Sequence, residues 1–146
     1  KRCLTVLLTD DCNLKCKYCY CGEEHEKRSI NVDFVKCAIR DFKRQEGELF
    51  IRFFGNGEPT LEFAKMKEIH AYARTLDNNA KFELQTNGAF NEEIREWVGE
   101  NIDIVWISYD GTTEVNNFYR VNKNNNTVSN IVEENIMENY MTTMEM

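Results

Sequence analysis

Four stretches of the chain carry the apolar density of strands: residues 3–8, 49–54, 81–85 and 102–108. Each ends in a polar turn: Thr9-Asp10, Gly55-Asn56-Gly57, Thr86-Asn87-Gly88 and Tyr109-Asp110-Gly111. The run at 3–8 reads as a buried parallel strand, and 102–108 is apolar on both faces, as a central parallel strand is. Helical periodicity fills the gaps. After a candidate cap at Asn31, the positions Phe34, Val35, Ala38, Ile39 and Phe42 predict one helix, ended by Gly47. Phe63, Met66, Ile69, His70 and Ala73 predict a second, closed by Asp77-Asn78-Asn79. A short helix is expected over 91–98 and another over 128–140. Residues 112–126 are polar and asparagine-rich, which predicts a loop with a helical turn around Phe118.

Strand and helix therefore alternate four times. That order predicts an α/β fold of parallel (βα) repeats with right-handed crossovers. All four strands then release their loops at one edge of the sheet, where such folds place ligands. The cysteine-rich loop after the first strand, the Gly-Asn-Gly-Glu-Pro turn, Thr-Asn-Gly and Ser-Tyr-Asp-Gly would meet there.

Composition narrows the classes. The 146 residues suit one domain with its own core. The formal net charge is −7, from 18 basic and 25 acidic residues, with no basic stripe, so nucleic acid is not the expected partner. No apolar run approaches a membrane span. Six cysteines without a signal peptide in an acidic, core-forming chain fit the reduced cytoplasm better than a disulfide framework.

The chemistry concentrates in residues 10–21. Cys12, Cys16 and Cys19 stand at CxxxCxxC spacing in one short loop. Three soft thiolates so close together suit a metal cluster. A cubane held by three cysteines leaves one iron open to a small molecule, as an incompletely ligated catalytic zinc does. A zinc site completed by Cys21 or His25 is the competing reading, although structural zinc sites draw two separated ligand pairs and no second pair lies downstream. In the turn after the second strand, glycines let backbone approach a ligand closely, and Glu58 can pair with an ammonium group. A plain strand-to-helix turn with Pro59 at the first helical position is the bland alternative. Gln85, Thr86 and Asn87 bring an amide and a hydroxyl to the same side, though an Asn-Gly turn explains them about as well.

The loop resembles the signature of the radical S-adenosylmethionine enzymes, CxxxCxΦC with Φ aromatic, here Tyr18. The resemblance implies a 4Fe-4S cluster on Cys12, Cys16 and Cys19, its unique iron chelated by the amino and carboxyl groups of S-adenosylmethionine. The Gly55-Asn56-Gly57-Glu58-Pro59 turn is similar to the family's Gly-Gly-Glu-Pro motif, which carries a role at the methionine amino group onto Gly57 and Glu58. Ile107 to Gly111 followed by Phe118-Tyr119-Arg120 resembles the fourth-strand segment of peptide-modifying members, the anaerobic sulfatase maturases included. There Ser108 and Arg120 would contact the ribose or the methionine carboxylate, and Tyr18 would offer its backbone to the adenine. Asn116-Asn117 departs from the His-Asp pair common in those enzymes.

What the resemblance implies is reductive cleavage of S-adenosylmethionine to a 5′-deoxyadenosyl radical that abstracts hydrogen, in peptide or protein modification. Its partners would be a peptide or protein substrate and an electron donor such as flavodoxin or ferredoxin, with no nucleic acid and no membrane. The fold would be four units of a partial TIM-type (β/α)6 barrel, residues 1–146 forming a core domain incomplete on the C-terminal side. Its fourth strand would then be an edge open to another chain. A non-catalytic zinc- or iron–sulfur-binding module and an activase for another radical enzyme are the rival readings. Of the remaining candidates, His70 is expected to be packed, His25 solvated, Cys37 on the core side of its helix as a small hydrophobe, and Cys3 inert. Cys21 is not read as a ligand.

Overall fold

Four parallel strands pair in the order β1 (Leu4–Leu7), β2 (Phe50–Phe54), β3 (Lys81–Thr86) and β4 (Ile104–Ile107). The computed structural model describes residues 2–19 and 27–139. Cys21, His25 and the last position of the helix expected over 128–140 lie outside them. The helices are α1 (Val32–Glu46), α2 (Phe63–Leu76), entered through a 3-10 turn at Pro59–Glu62, α3 (Glu92–Asn101), α4 (Thr113–Tyr119) and α5 (Ser129–Asn139).

Strand order equals chain order, so crossovers of one hand stack the connecting helices on the same face. The register shows which face. Val6 sits beside Phe53, Phe53 beside Leu84, and Leu84 beside Val105. These four side chains are buried and share one core with Val35 and Ile39 of α1, Met66, Ile69 and Ala73 of α2, and Val98 of α3. Each such burial contributes about 1.5–3 kcal/mol before entropy is charged. His70 belongs to this layer. Its ring lies 4.1 Å from that of Phe82 and 5.2 Å from that of Trp97, its Nε2 meets the Asn101 carbonyl, and burial holds it below the usual imidazole range.

The opposite face is partly polar. Arg52 on β2 bonds Glu83 on β3 at 2.9 Å, and the Trp106 indole of β4 donates to the same carboxylate. Leu7 is 47% exposed there. The run at 3–8 is thus buried on one face only, and β4 alternates: Val105 and Ile107 are buried, while Ile104 and Trp106 are half-buried on the other side. Among the described residues, β1 and β4 are the edges of the sheet.

Side-chain caps fix three helix starts, the first at Asn31 as expected. Asn31 accepts from Phe34 N, Asn91 from Ile94 N and Thr112 from Val115 N. Gly47 closes α1 in the left-handed region at φ +77°. Two expectations fail. The segment 112–126 holds a defined helix, α4, in place of a loop with a single turn. In α1 the buried stripe is Val35 and Ile39, flanked by Val32 and Phe42, whereas Phe34 is 70% exposed and Cys37 is exposed. Cys37 stands about 200° around the helix from Val35, on the solvent side, where Arg40 contacts its sulfur.

Candidate functional site

The loop leaving β1 is tied down before it reaches the first cysteine. Thr9 Oγ1 donates to the Arg28 carbonyl at 2.7 Å and accepts from Asp11 N at 3.0 Å. Leu14 is buried and anchors the middle of the loop. Residues 119–122 run alongside it. Lys15 N donates to Val121 O at 2.8 Å, Lys17 N to Tyr119 O at 3.0 Å, and Leu14 bridges Asn122. The Cys19 N–H then turns back on the Cys16 carbonyl at 3.1 Å.

The turn after β2 presses against this loop. Glu58 N donates to Asp11 O at 2.8 Å. A Cβ on Gly57 would lie 2.0 Å from that same carbonyl oxygen, so only glycine fits. The close approach expected of Gly57 is therefore made, in this structure, to neighbouring backbone.

Glu58 is buried, and its carboxylate organises the exit of β3. Oε2 accepts from Thr60 N, Thr60 Oγ1 and Thr86 Oγ1 at 3.1, 2.5 and 2.6 Å. Oε1 accepts from Asn87 N at 2.8 Å. Burial pushes the carboxyl above its usual range, and these donors oppose the shift. The Thr-Asn-Gly turn closes through Gly88 at φ +77°, where a side chain would strike Ile107 and Val132. Asn135 of α5 donates to the Gly88 and Phe90 carbonyls at 2.7 and 2.9 Å, locking the turn to the helix behind it.

After β4, Ser108 N donates to Thr86 O at 3.0 Å, and Ser108 itself is exposed. Asp110 accepts from Arg120 Nε at 3.1 Å and from the Tyr18 hydroxyl at 2.6 Å. A terminal nitrogen of Arg120 lies 3.7 Å from Cys16 Sγ, and its guanidinium sits 5.3 Å from the Tyr18 ring centroid. Asn116, one of the two residues that depart from the family's pattern, is buried. It accepts from Asp110 N at 3.0 Å and donates to Ser129 at 2.8 Å, which holds the turn after β4.

Cys12, Cys16, Cys19, Tyr18, Gly57, Glu58, Ser108 and Arg120 all line one cleft of about 260 Å³, together with Gln85, Thr86 and Asn87. It opens at the C-terminal edge of the sheet, as the strand order predicts. A larger hollow of about 630 Å³ lies at the opposite end, among charged groups such as Arg2, Lys43 and Asp77, and has no thiol in its wall.

The donor set fits an iron–sulfur cluster. The three thiols are half-buried. Burial raises the Cys12 thiol to about 11 and also raises Cys16, against the pull of Arg120. Tyr18 is raised by burial and by its bond to Asp110. Backbone and side-chain N–H groups already face sulfur: Leu14 N lies 3.5 Å and Asn87 Nδ2 3.8 Å from Cys12 Sγ. Among the described residues, no three His, Cys, Asp or Glu side chains converge on a point where one metal ion could sit. Cys12, Cys16 and Cys19 would each serve a cluster of several irons, for which a single shared point is not required. Sequence reasoning missed the roles of Asp110 and Asn116 and the pairing of 119–122 with the cysteine loop. Asn116 showed only as a departure from a familiar pair, Asp110 as part of a polar turn, and the pairing of 119–122 joins segments about 100 residues apart.

The model of the radical SAM superfamily matches residues 6–138. The chain belongs to that superfamily. It is 37% identical over 129 residues to an uncharacterized protein of Methanocaldococcus jannaschii, covering 83% of this chain and 42% of that protein. It is 30% identical over 143 residues to the cysteine-type anaerobic sulfatase-maturating enzyme of Clostridium novyi, covering 88% and 37%. The solved structure of native anSMEcpe with bound AdoMet and the Cp18Cys peptide superposes with a TM-score of 0.82 at 23% identity, over 99% of this chain and 42% of that one. The chain thus spans about two fifths of the length of these relatives. The parallel sheet with helices between its strands is the radical SAM fold, and the superfamily's cofactors are a 4Fe-4S cluster and S-adenosylmethionine.

Proposed function

We propose that this chain is the cofactor-binding part of a radical SAM enzyme acting on a peptide or protein. The observation that carries the reading is the meeting of Cys12, Cys16 and Cys19 with Gly57, Glu58, Ser108 and Arg120 around one cleft. Cys12, Cys16 and Cys19 would hold the cluster. Glu58, which keeps a lone pair on Oε1, and Arg120, whose planar fork suits a carboxylate, would take the amino and carboxyl ends of S-adenosylmethionine. Ser108 stands at the cleft for the ribose, and Tyr18 offers its backbone to the adenine. Bound together, cluster and S-adenosylmethionine supply reductive cleavage and a 5′-deoxyadenosyl radical; the chain binds, orients and excludes water. The peptide class rests on similarity to the sulfatase-maturating enzymes. Flavodoxin or ferredoxin is the class of electron donor. No helix among the described residues is long and apolar enough to cross a membrane, and we assign the protein to the cytoplasm, where thiols stay reduced.

Anaerobic reconstitution with iron and sulfide, then S-adenosylmethionine and a strong reductant, should yield 5′-deoxyadenosine. A reconstituted, fully loaded protein that leaves S-adenosylmethionine intact would remove the enzymatic reading. Glu58→Gln and Arg120→Ala should each weaken S-adenosylmethionine binding by about 1.5–3 kcal/mol, the range for a bond to a charged partner. That is roughly tenfold or more in Kd, with iron content unchanged. Calorimetry under argon reads both. Equal affinity in all three proteins would withdraw the cofactor role from both residues.

A further inference from the structure

Two side-chain amides lie between the exit of β3 and the cysteine loop, and the backbone of Ala89 fixes both. Asn87 Oδ1 accepts the Ala89 N–H at 2.9 Å, which places Nδ2 on the other arm. Asn13 Nδ2 donates to the Ala89 carbonyl at 2.8 Å, which leaves Asn13 Oδ1 as an acceptor. Asn87 Nδ2 donates to that oxygen at 2.7 Å and faces Cys12 Sγ at 3.8 Å, within N–H···S range. Exchanging O and N in either amide would set donor against donor or acceptor against acceptor, so the orientation is determined by the network. Glu58 completes the grip through Asn87 N at 2.8 Å. An Asn-Gly turn needs only the bond from Ala89 N to Oδ1. It does not account for an N–H aimed at the sulfur of the first cysteine.

We propose that Asn87 sets the reduction potential of the iron–sulfur cluster by donating an N–H to the Cys12 sulfur, with Glu58 and Ala89 holding it in position. This inference rests on the cluster reading above. Reduction adds one electron, and the negative charge on the thiolate sulfurs grows. A hydrogen-bond donor at sulfur stabilises the reduced form over the oxidised one and raises the potential. Asn87 acts through Cys12 and is a positioning residue.

The test is an anaerobic redox titration of the reconstituted chain, followed by electron paramagnetic resonance without S-adenosylmethionine. The wild type, Asn87→Ser and Asn87→Asp are compared. Serine keeps a hydroxyl for the Ala89 N–H and loses the donor to sulfur. Aspartate keeps the shape and turns an oxygen toward sulfur. Poised at the wild-type midpoint, Asn87→Ser should show a reduced-to-oxidised ratio about tenfold lower, which for one electron is about 59 mV. Asn87→Asp should fall further, and iron and sulfide content should match the wild type in both. Full clusters with an unchanged midpoint would return Asn87 to a turn residue and overturn the inference. So would loss of cluster or of fold in both variants, which would give Asn87 an assembly role instead. A wild type that gathers no iron and sulfide defeats the cluster reading itself, and this inference falls with it.

Discussion

Replacing any one of Cys12, Cys16 or Cys19 by alanine should strip the reconstituted protein of most of its iron and sulfide, while Cys3→Ala and Cys37→Ala keep both at wild-type levels. The three cysteines line one cleft. Cys3 lies just before β1, where burial raises its thiol and Arg52 opposes the shift. Cys37 is on the outer side of α1, beside Arg40. A cubane with two protein thiolates has two irons to complete, and the described cleft wall adds no further thiol. Iron and acid-labile sulfide assays on the five variants decide the matter. If Cys37→Ala lost the cluster as fully as Cys16→Ala, the ligand set would be wrong.

Gly57→Ala should be the most damaging single methyl group that can be added to the cleft. Its Cβ would meet Asp11 O at 2.0 Å and the Asp10 and Asp11 carbonyl carbons at 2.6 and 2.7 Å. All three are backbone atoms that no rotamer change can move aside. The two loops must separate, and the hydrogen bond from Glu58 N to Asp11 O is lost with them. Overpacking and one broken bond together give roughly 3 kcal/mol. For a chain of this size that is about 10 °C in Tm. Gly55→Ala is the control: its Cβ would stand 3.0 Å from Thr9 O, a contact a small shift relieves. Circular-dichroism melts of the apo proteins compare them. Equal melting of the two variants would mean the loops are not wedged together as described.

The sheet and the place of the cleft were legible because their signals are local. Each strand ends in a turn written in its own residues, and alternation with helices determines which edge those turns share. The cysteine spacing and the Gly-x-Gly-Glu-Pro turn are short motifs of the same kind. What escaped was decided by side-chain partners and packing that no spacing motif announces. Asn116 read only as a departure from the family's His-Asp pair, yet it is buried because it bonds both Ser129 and the Asp110 amide. The face of α1 was misphased because Phe34 and Ala38 fit an apolar stripe as well as Val32 does, and only the position of the sheet chooses between them. Glu58 reads as a ligand-binding carboxylate from its motif, but Thr60, Thr86 and Asn87 show that it also fastens two strand ends.

The cysteine loop is braced by residues 119–122, which the ribosome delivers long after the thiols themselves. At about 5–20 residues per second, the roughly 100 residues in between take on the order of 5–20 s to synthesise. Throughout that interval the nascent chain carries Cys12, Cys16 and Cys19 without the backbone hydrogen bonds that Lys15 and Lys17 will make. Iron delivered co-translationally would meet an unshaped loop, whereas iron delivered after release would meet a finished one. The order of the segments along the chain therefore sets when the cysteine loop can acquire its braces.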